Sequence, residues 1–254
     1  MRNIVTISSN DEVGDGLFVL RFRSGEIART AQPGQFVNVR VTDSYLPLLR
    51  RPFSISRIAG SSIELVFNIV GVGTKALSVL KPGDTIDVLG PLGVPFDVRE
   101  EFETALIVGG GVGVAPFPLL TEVLQREEKN IVSFIGARSV YQLYREHLKN
   151  SHFATDDGSA GFKGNVVQLL ERYLESHHPA QPKIFGCGPT PMLKSLSQLA
   201  QQLGILCELS LEGDMACGIG LCQGCPVERA NGPKKYALVC TEGPAFHSQD
   251  ILLA

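Results

Sequence analysis

Apolar and polar residues alternate in short runs through the first hundred positions. FVNVRV (36–41), PFSIS (52–56), IELVFNIV (63–70) and TIDVLG (85–90) each read as a short strand. Pro33-Gly34 precedes the first of these and Pro82-Gly83 the last. Both pairs suit type II turns, with proline fixing φ and glycine supplying the positive φ that follows. Several short strands at this spacing, with no convincing helix, predict a small antiparallel β-barrel. GPLG (90–93) and a turn at Pro95 close it near Arg99.

The pattern changes at Thr104. ALIVG is a continuous apolar run of the kind a strand buried on both faces requires. Pro116 then stands where a helix would begin, a position that tolerates proline, and Leu119, Leu120, Val123 and Leu124 give that helix an apolar side. NIVSFIG (130–136) predicts a second strand, and Val140, Leu143, Tyr144 and Leu148 show helical spacing after it. A further helix is expected over Val166, Val167, Leu170 and Leu174. KIFGCGP (183–189) repeats the strand-then-glycine pattern, before a helix faced by Met192, Leu193, Leu196, Leu199, Ala200 and Leu203 and stopped by Gly204. Strand and helix in alternation predict a doubly wound parallel sheet, with ligands outside the carboxyl ends of its strands. The expected organisation is multidomain, β then α/β: a barrel over 1–100, an α/β domain over 101–206 and a small segment over 207–254.

Composition narrows the function classes. The 254 residues carry a net charge of −3, so there is no basic footprint for nucleic acid or an anionic membrane. The acidity is local: Glu208, Glu212, Asp214, Glu228, Glu242 and Asp250 in the last segment face only Arg229, Lys234 and Lys235. The N-terminus has no apolar signal-peptide core, and the uncharged run Thr104–Leu120 is broken by glycines and prolines. A reducing, cytoplasmic setting is the expectation.

The candidate chemistry centres on MACGIGLCQGCP (215–226). Cys217, Cys222 and Cys225 stand in C-x4-C-x2-C spacing, and Cys240 follows in ALVCTEGP. That is the plant-type spacing for a 2Fe–2S cluster. Gly218, Gly220 and Gly224 can adopt positive φ and turn backbone N–H groups towards an anionic centre. Structural zinc also takes four cysteines, but its second paired knuckle is missing here. Six cysteines could form disulfides, although such frameworks belong to short secreted chains. A Rieske centre needs two histidines, and His247 is the only one in the segment.

Other motifs leave alternatives open. GGGVGVAP (109–116) has the strand-to-helix setting that cradles phosphate, or is a tight turn needing glycine for packing. Cys187 in GCGP could line a nicotinamide pocket or be a small buried hydrophobe. Asp156 and Asp157 could bind ribose hydroxyls or make an Asx-turn, while Arg138 could accommodate a 2′-phosphate. Arg50 and Arg51 open RRPFS, where a guanidinium can pair with pyrophosphate and Ser54 can reach a flavin edge, or the arginines are solvated. Gly71-Val72-Gly73-Thr74 could add N–H groups and a hydroxyl, or be a strand-to-helix turn.

Taken in order, LLRRPFSIS, VGVGTKALSVLKPGDTIDVLGPLG, VGGGVGVAP, TDDGSAGFKG, FGCGP, SLEGDMACGIGLCQGC and VCTEGPAF resemble the ferredoxin–NADP reductase superfamily. Within it the chain looks like the electron-transfer subunits of NAD-dependent heteromeric bacterial dihydroorotate dehydrogenases, over nearly its full length. The resemblance implies that Arg51, Pro52, Phe53 and Ser54 hold FAD and that Gly73 and Thr74 touch its phosphates. Gly110, Gly111, Gly113, Cys187 and Gly188 would receive NAD, and Cys217, Cys222, Cys225 and Cys240 would ligate the 2Fe–2S cluster. Val72 stands where an acidic residue is expected, and Phe53 replaces a small aliphatic.

A nicotinamide exchanges two electrons and a 2Fe–2S centre one, so the implied path places FAD between them. A barrel, a nucleotide domain and a cluster segment use all 254 residues. A TIM barrel that oxidises dihydroorotate would need about 250 more. The expected partner is therefore an FMN-containing dihydroorotate dehydrogenase catalytic subunit, in a heterotetramer, docked near the acidic flanks of the cluster segment. The competing readings are a flavin and iron–sulfur reductase subunit serving sulfite, sulfide or ferredoxin, and a zinc-stapled interaction domain.

Overall fold

The computed structural model describes residues 2–42 and 44–253. Six strands come first: β1 (Arg2–Gly14), β2 (Leu17–Arg23), β3 (Phe36–Arg40), β4 (Arg51–Ala59), β5 (Ser62–Asn68) and β6 (Thr85–Leu92). They pair antiparallel in the order β1-β2-β5-β4-β3-β6, and β1 closes the barrel on β6. Register shifts in β1 at Ile7/Ser9 and Glu12/Gly14 mark bulges, which bend one long strand to serve both neighbours. Ile7, Phe22, Val37, Val39, Ile55, Leu65, Phe67 and Val88 fill the interior. Gly34 and Gly83 take φ of 92° and 97°, as the Pro-Gly turns require.

The barrel also holds two short helices: α1 (Gly25–Thr30), which the pattern did not reveal, and α2 (Val72–Ser78), which makes Gly71–Thr74 the strand-to-helix turn of the second reading. Neither is long enough to repeat an apolar face, so no periodicity marks them.

The α/β region contributes β7 (Thr104–Gly110), α3 (Phe117–Arg126), β8 (Asn130–Ala137), β9 (Ser151–Thr155), β10 (Phe162–Lys163), α4 (Val166–Ser176), β11 (Pro182–Cys187), α5 (Thr190–Leu203) and β12 (Leu206–Ser210). These strands are parallel in the order β10-β9-β8-β7-β11-β12. Alternate residues of β7 face opposite layers. Leu106 and Val108 pack with α4 and α5, Ala105 and Ile107 with α3. The chain leaves β7 towards β8 and returns on the far side as β11, so the strand order reverses between β7 and β11.

One expected helix is not there. Over Val140–Leu148 only a single 3-10 turn forms, Val140–Gln142. Leu143 and Tyr144 are apolar because they pack against Leu17, Val19 and Val66 of the barrel. Positive φ at His147 (59°) and Asn150 (45°) rules out a continuous helix.

The C-terminal segment adds β13 (Pro226–Arg229), β14 (Tyr236–Leu238), α6 (Val239–Glu242), β15 (Ala245–His247) and β16 (Ile251–Leu252). β14, β13 and β16 form a small sheet, while β15 runs antiparallel to β12 as a seventh strand of the large one. Among the described residues no helix is long and apolar enough to cross a membrane.

Candidate functional site: a nucleotide cleft, a barrel rim and a four-cysteine loop

A cleft of about 790 Å³ opens where the strand order reverses. Gly110, Gly111, Gly113 and Gly188 line it, together with Arg138, Asp156 and Glu212. Asp15, Gly16 and Asn68–Val70 reach it from the barrel. Glycine is required by contact at Gly113, where a Cβ would stand 2.4 Å from the Cys187 carbonyl oxygen, and favoured at its neighbours. A Cβ on Gly110 would stand 2.5 Å from Met192 Sδ, and one on Gly188 would stand 3.1 Å from the Gly110 Cα. Gly111 differs, with φ of 57° and open space where its Cβ would lie, so only its backbone conformation favours glycine. The residues present fit a pyridine nucleotide, whose phosphates need close backbone approach beyond strand ends.

Cys187 sits beneath this cleft, not on its wall. It is 2% exposed, and burial followed by the Glu212 charge pushes its thiol far up. Asp157 makes the Asx-turn, accepting from the Ser159 N–H at 2.9 Å and the Ser159 hydroxyl at 2.6 Å. Those bonds hold its carboxyl below the usual range. Asp156 is left facing the cleft alongside Arg138.

On the barrel, the RRPFS and GVGT motifs meet. A Cβ on Gly73 would lie 2.9 Å from Arg51 Nε, so the guanidinium passes directly over the first turn of α2. Arg51 Nη1 donates to the Leu49 carbonyl at 2.6 Å, and among the described residues no carboxylate neutralises it. Arg50 is spent: it donates to the Asp87 carboxylate at 2.8 Å and to the Asn38 carbonyl at 3.2 Å. Asp87 is held low by Arg50 and then Arg2, against the opposing effect of its burial. Phe53 points inward and meets Phe67 edge-on at 5.6 Å, whereas Pro52 and Ser54 lie half-exposed on the other face of β4. The Thr74 hydroxyl is occupied by the turn, accepting from the N–H groups of Val70 (2.9 Å) and Gly71 (3.2 Å). An unneutralised guanidinium over a glycine N-terminal turn fits a flavin nucleotide's pyrophosphate.

The cysteine loop has no regular structure up to Cys225. Gly218 and Gly220 take φ of 71° and 81°; Gly224 does not, and its neighbour Gln223 takes 58° instead. This backbone turns the N–H groups of Ile219 (3.5 Å) and Cys222 (3.4 Å) onto Cys217 Sγ. The first of these does most to bring the Cys217 thiol down to about 7. Cys240 is the second residue of α6, and burial, then the neighbouring Cys225 thiol, pushes it up to about 11. Cys222 thus lies beside Cys217, and Cys225 beside Cys240. Among the described residues no three His, Cys, Asp or Glu side chains stand in an arrangement that would itself hold a metal ion. All six cysteines are free thiols. Four cysteines on this loop and the short helix after it, with backbone N–H groups aimed at Cys217 Sγ, are the donor set an iron–sulfur cluster takes.

Two residues escaped the sequence patterns. Glu212 follows β12 and lines the cleft as an exposed side chain, its carboxyl pushed up by the protein packed around it; its signal was its place beyond a parallel strand end. Asn38 reaches from β3 to the cysteine loop, donating through Nδ2 to the Cys217 carbonyl at 3.2 Å. The acidic flank is partly internal, because Glu208 pairs with Lys183 and Glu242 with Arg229. The surface near the exposed Cys222 is instead apolar, with Leu221 at 79% exposure.

Known proteins share this arrangement. Residues 212–252 match the family model for the iron–sulfur cluster binding domain of dihydroorotate dehydrogenase B. The dihydroorotate dehydrogenase B (NAD(+)) electron transfer subunit of Bacillus velezensis is 36% identical over 98% of both chains. That of Fusobacterium nucleatum is 34% identical over 97% of this chain and 96% of its own. Among solved structures, an NADH-dependent reduced ferredoxin-NADP oxidoreductase, described for flavin-based electron bifurcation, superposes with a TM-score of 0.86 at 28% identity. It covers 99% of this chain and 90% of that one. With a ferredoxin reductase fold, an iron–sulfur binding segment and relatives matched end to end, the chain belongs to the family of dihydroorotate dehydrogenase B (NAD(+)) electron transfer subunits.

Proposed function

We propose that this chain passes electrons between NAD(H), FAD and a 2Fe–2S cluster, to or from an FMN-containing dihydroorotate dehydrogenase catalytic subunit, in a cytoplasmic heterotetramer. The carrying observation is one of placement. The glycine cradle of Gly110, Gly111, Gly113 and Gly188, the Arg51–Gly73 contact and the four-cysteine loop all gather around one barrel.

When bound, FAD supplies the exchange between a two-electron hydride carrier and a one-electron cluster. Residues 1–100 would hold it: Arg51 pairs with pyrophosphate, Gly73 leaves room for the guanidinium, and Pro52 and Ser54 present the outer face of β4. Phe53 and Thr74 act from beneath, one in the barrel core and one closing the α2 turn. Residues 101–206 would orient the pyridine nucleotide, with Asp156 placed for ribose hydroxyls. Cys187 carries the backbone against which Gly113 packs. In residues 207–254, Cys217, Cys222, Cys225 and Cys240 would bind the cluster. Cys222 and Leu221 face outward, and Tyr45, Leu46 and Leu48 are exposed in the loop that follows β3. Exposed apolar side chains of this kind suit docking of an electron-transfer partner.

The test is anaerobic absorption of the purified chain during NADH titration, with metal analysis. Flavin and iron–sulfur bands should both bleach. Cys217→Ser, Cys222→Ser, Cys225→Ser and Cys240→Ser should each lose iron, whereas Cys207→Ser should keep it. A colourless protein with one zinc, or dihydroorotate oxidation by this chain without a partner, would overturn the reading. The match to a ferredoxin-NADP oxidoreductase favours a second acceptor class. Co-purification of an iron–sulfur enzyme in place of an FMN subunit would select it.

A further inference from the structure

Asn38 lies mid-strand in β3 with 0% exposure, yet it is a carboxamide. Its backbone carbonyl accepts from Arg50, which the Asp87 carboxylate also anchors. Its Nδ2 donates to the Cys217 carbonyl, and its Oδ1 has no partner among the described residues. Leaving one buried acceptor unmet is costly, a cost an apolar residue in this strand would avoid. The same contact is tight from the other side. Gly218 has φ of 71°, and a Cβ there would stand 2.5 Å from Asn38 Nδ2. In the barrel register, Asn38 is the cross-strand partner of Pro52, inside the RRPFS motif.

We propose that Asn38 is a positioning residue for the cluster: it straps the Cys217 main chain, and so the first sulfur ligand, to the strand pair that carries Arg51–Ser54. The inference rests on Cys217 being a cluster ligand. The cysteine loop has no regular structure of its own to set its distance from the barrel, and transfer between two electron carriers weakens steeply with separation. The carboxamide supplies that fixed distance, and its unmet Oδ1 leaves an acceptor for a loop N–H once the sulfurs close on the metal.

The test uses the full chain, purified anaerobically, as Asn38→Asp and, independently, as Gly218→Ala with Asn38 intact. Asp keeps the shape and removes the donor; the alanine methyl pushes the loop off the strand. Flavin content, iron content, the electron paramagnetic resonance spectrum of the reduced cluster, its midpoint potential and its rate of reduction after mixing with NADH are measured. Both variants should keep wild-type flavin content, show an altered cluster spectrum and reduce the cluster about tenfold more slowly. Asn38→Asp should also lower the potential, because it adds negative charge beside the centre. Wild-type spectrum, potential and rate in both variants would overturn the proposal. So would flavin loss in step with iron loss, which would make Asn38 part of the flavin site. If the wild-type chain itself shows no 2Fe–2S signal, the ligand assignment fails first and takes this inference with it.

Discussion

Gly113 and Gly188 touch backbone to backbone. A Cβ on Gly113 would stand 2.6 Å from the Gly188 Cα and 2.4 Å from the Cys187 carbonyl oxygen. The loops after β7 and β11 therefore close on each other at the point where strand order reverses, and neither can shift alone. This makes the floor of the nucleotide cleft a rigid two-loop joint with main-chain groups on its upper side.

Gly113→Ala should split that joint. The methyl meets main-chain atoms that cannot rotate away, so the cost is that of overpacking, about 1–3 kcal/mol. The apparent affinity for NADH should fall with it. Gly111→Ala is the control: its Cβ would lie in open space and only the positive φ is strained, at about 1–2 kcal/mol. Melting temperatures and NADH titrations of both variants should rank Gly113→Ala as the more damaging. Equal effects would mean that local strain, not the loop contact, governs the site.

What could be read along the chain was what lies close together in it. The cysteine spacing, the glycine loops after apolar strands and the alternation in β3 to β6 are local chemistry, and the fold contains each of them. What could not be read depends on distant partners. Leu143 and Tyr144 imitate a helix face because barrel residues Leu17 and Val19 need covering. Asn38 looks like any polar strand residue until Cys217, 179 positions away, is placed against it. β15 is three residues long and becomes a strand only because β12 offers an open edge.

Lys183 shows the same dependence and carries a testable cost. It is fully buried in β11, paired with Glu208 at 3.1 Å, with Glu100, and with the Asp97 carbonyl at 2.7 Å. Lys183→Met would strand the Glu208 carboxylate, and breaking one half of a buried pair costs about 3–5 kcal/mol. Glu208 keeps two bonds from the Asp97 N–H, at 3.1 and 3.0 Å, which puts the loss at the lower end. Lys183→Met with Glu208→Gln should recover most of it, since the carboxylate then left without the lysine is Glu100, which is partly exposed to water. Urea denaturation of the single and double variants measures both. A single variant as stable as wild type would show that water already screens the pair.

Glu212 should make stability depend on pH in the opposite sense to a salt-bridged carboxylate. The Glu212 side chain is solvent-exposed on the cleft wall, yet the protein packed around it pushes its carboxyl up, and among the described residues no cation pairs with it, so the effect is small. Below the unfolded carboxyl's value of about 4.3 the group is protonated in both states and costs nothing. Between that value and the raised folded one, the folded state holds more protons than the unfolded state, so stability falls as pH rises. Above the folded value the penalty is complete and constant. Glu212→Gln removes the charge and keeps the shape, so it should melt higher than wild type at pH 8. The two melting curves should converge as pH drops to 4. Thermal unfolding of both proteins across this range is the measurement. A difference that does not change with pH would mean that packing, not ionisation, distinguishes the variants. A lower melting temperature for Glu212→Gln at pH 8 would mean that the carboxylate is paired in solution.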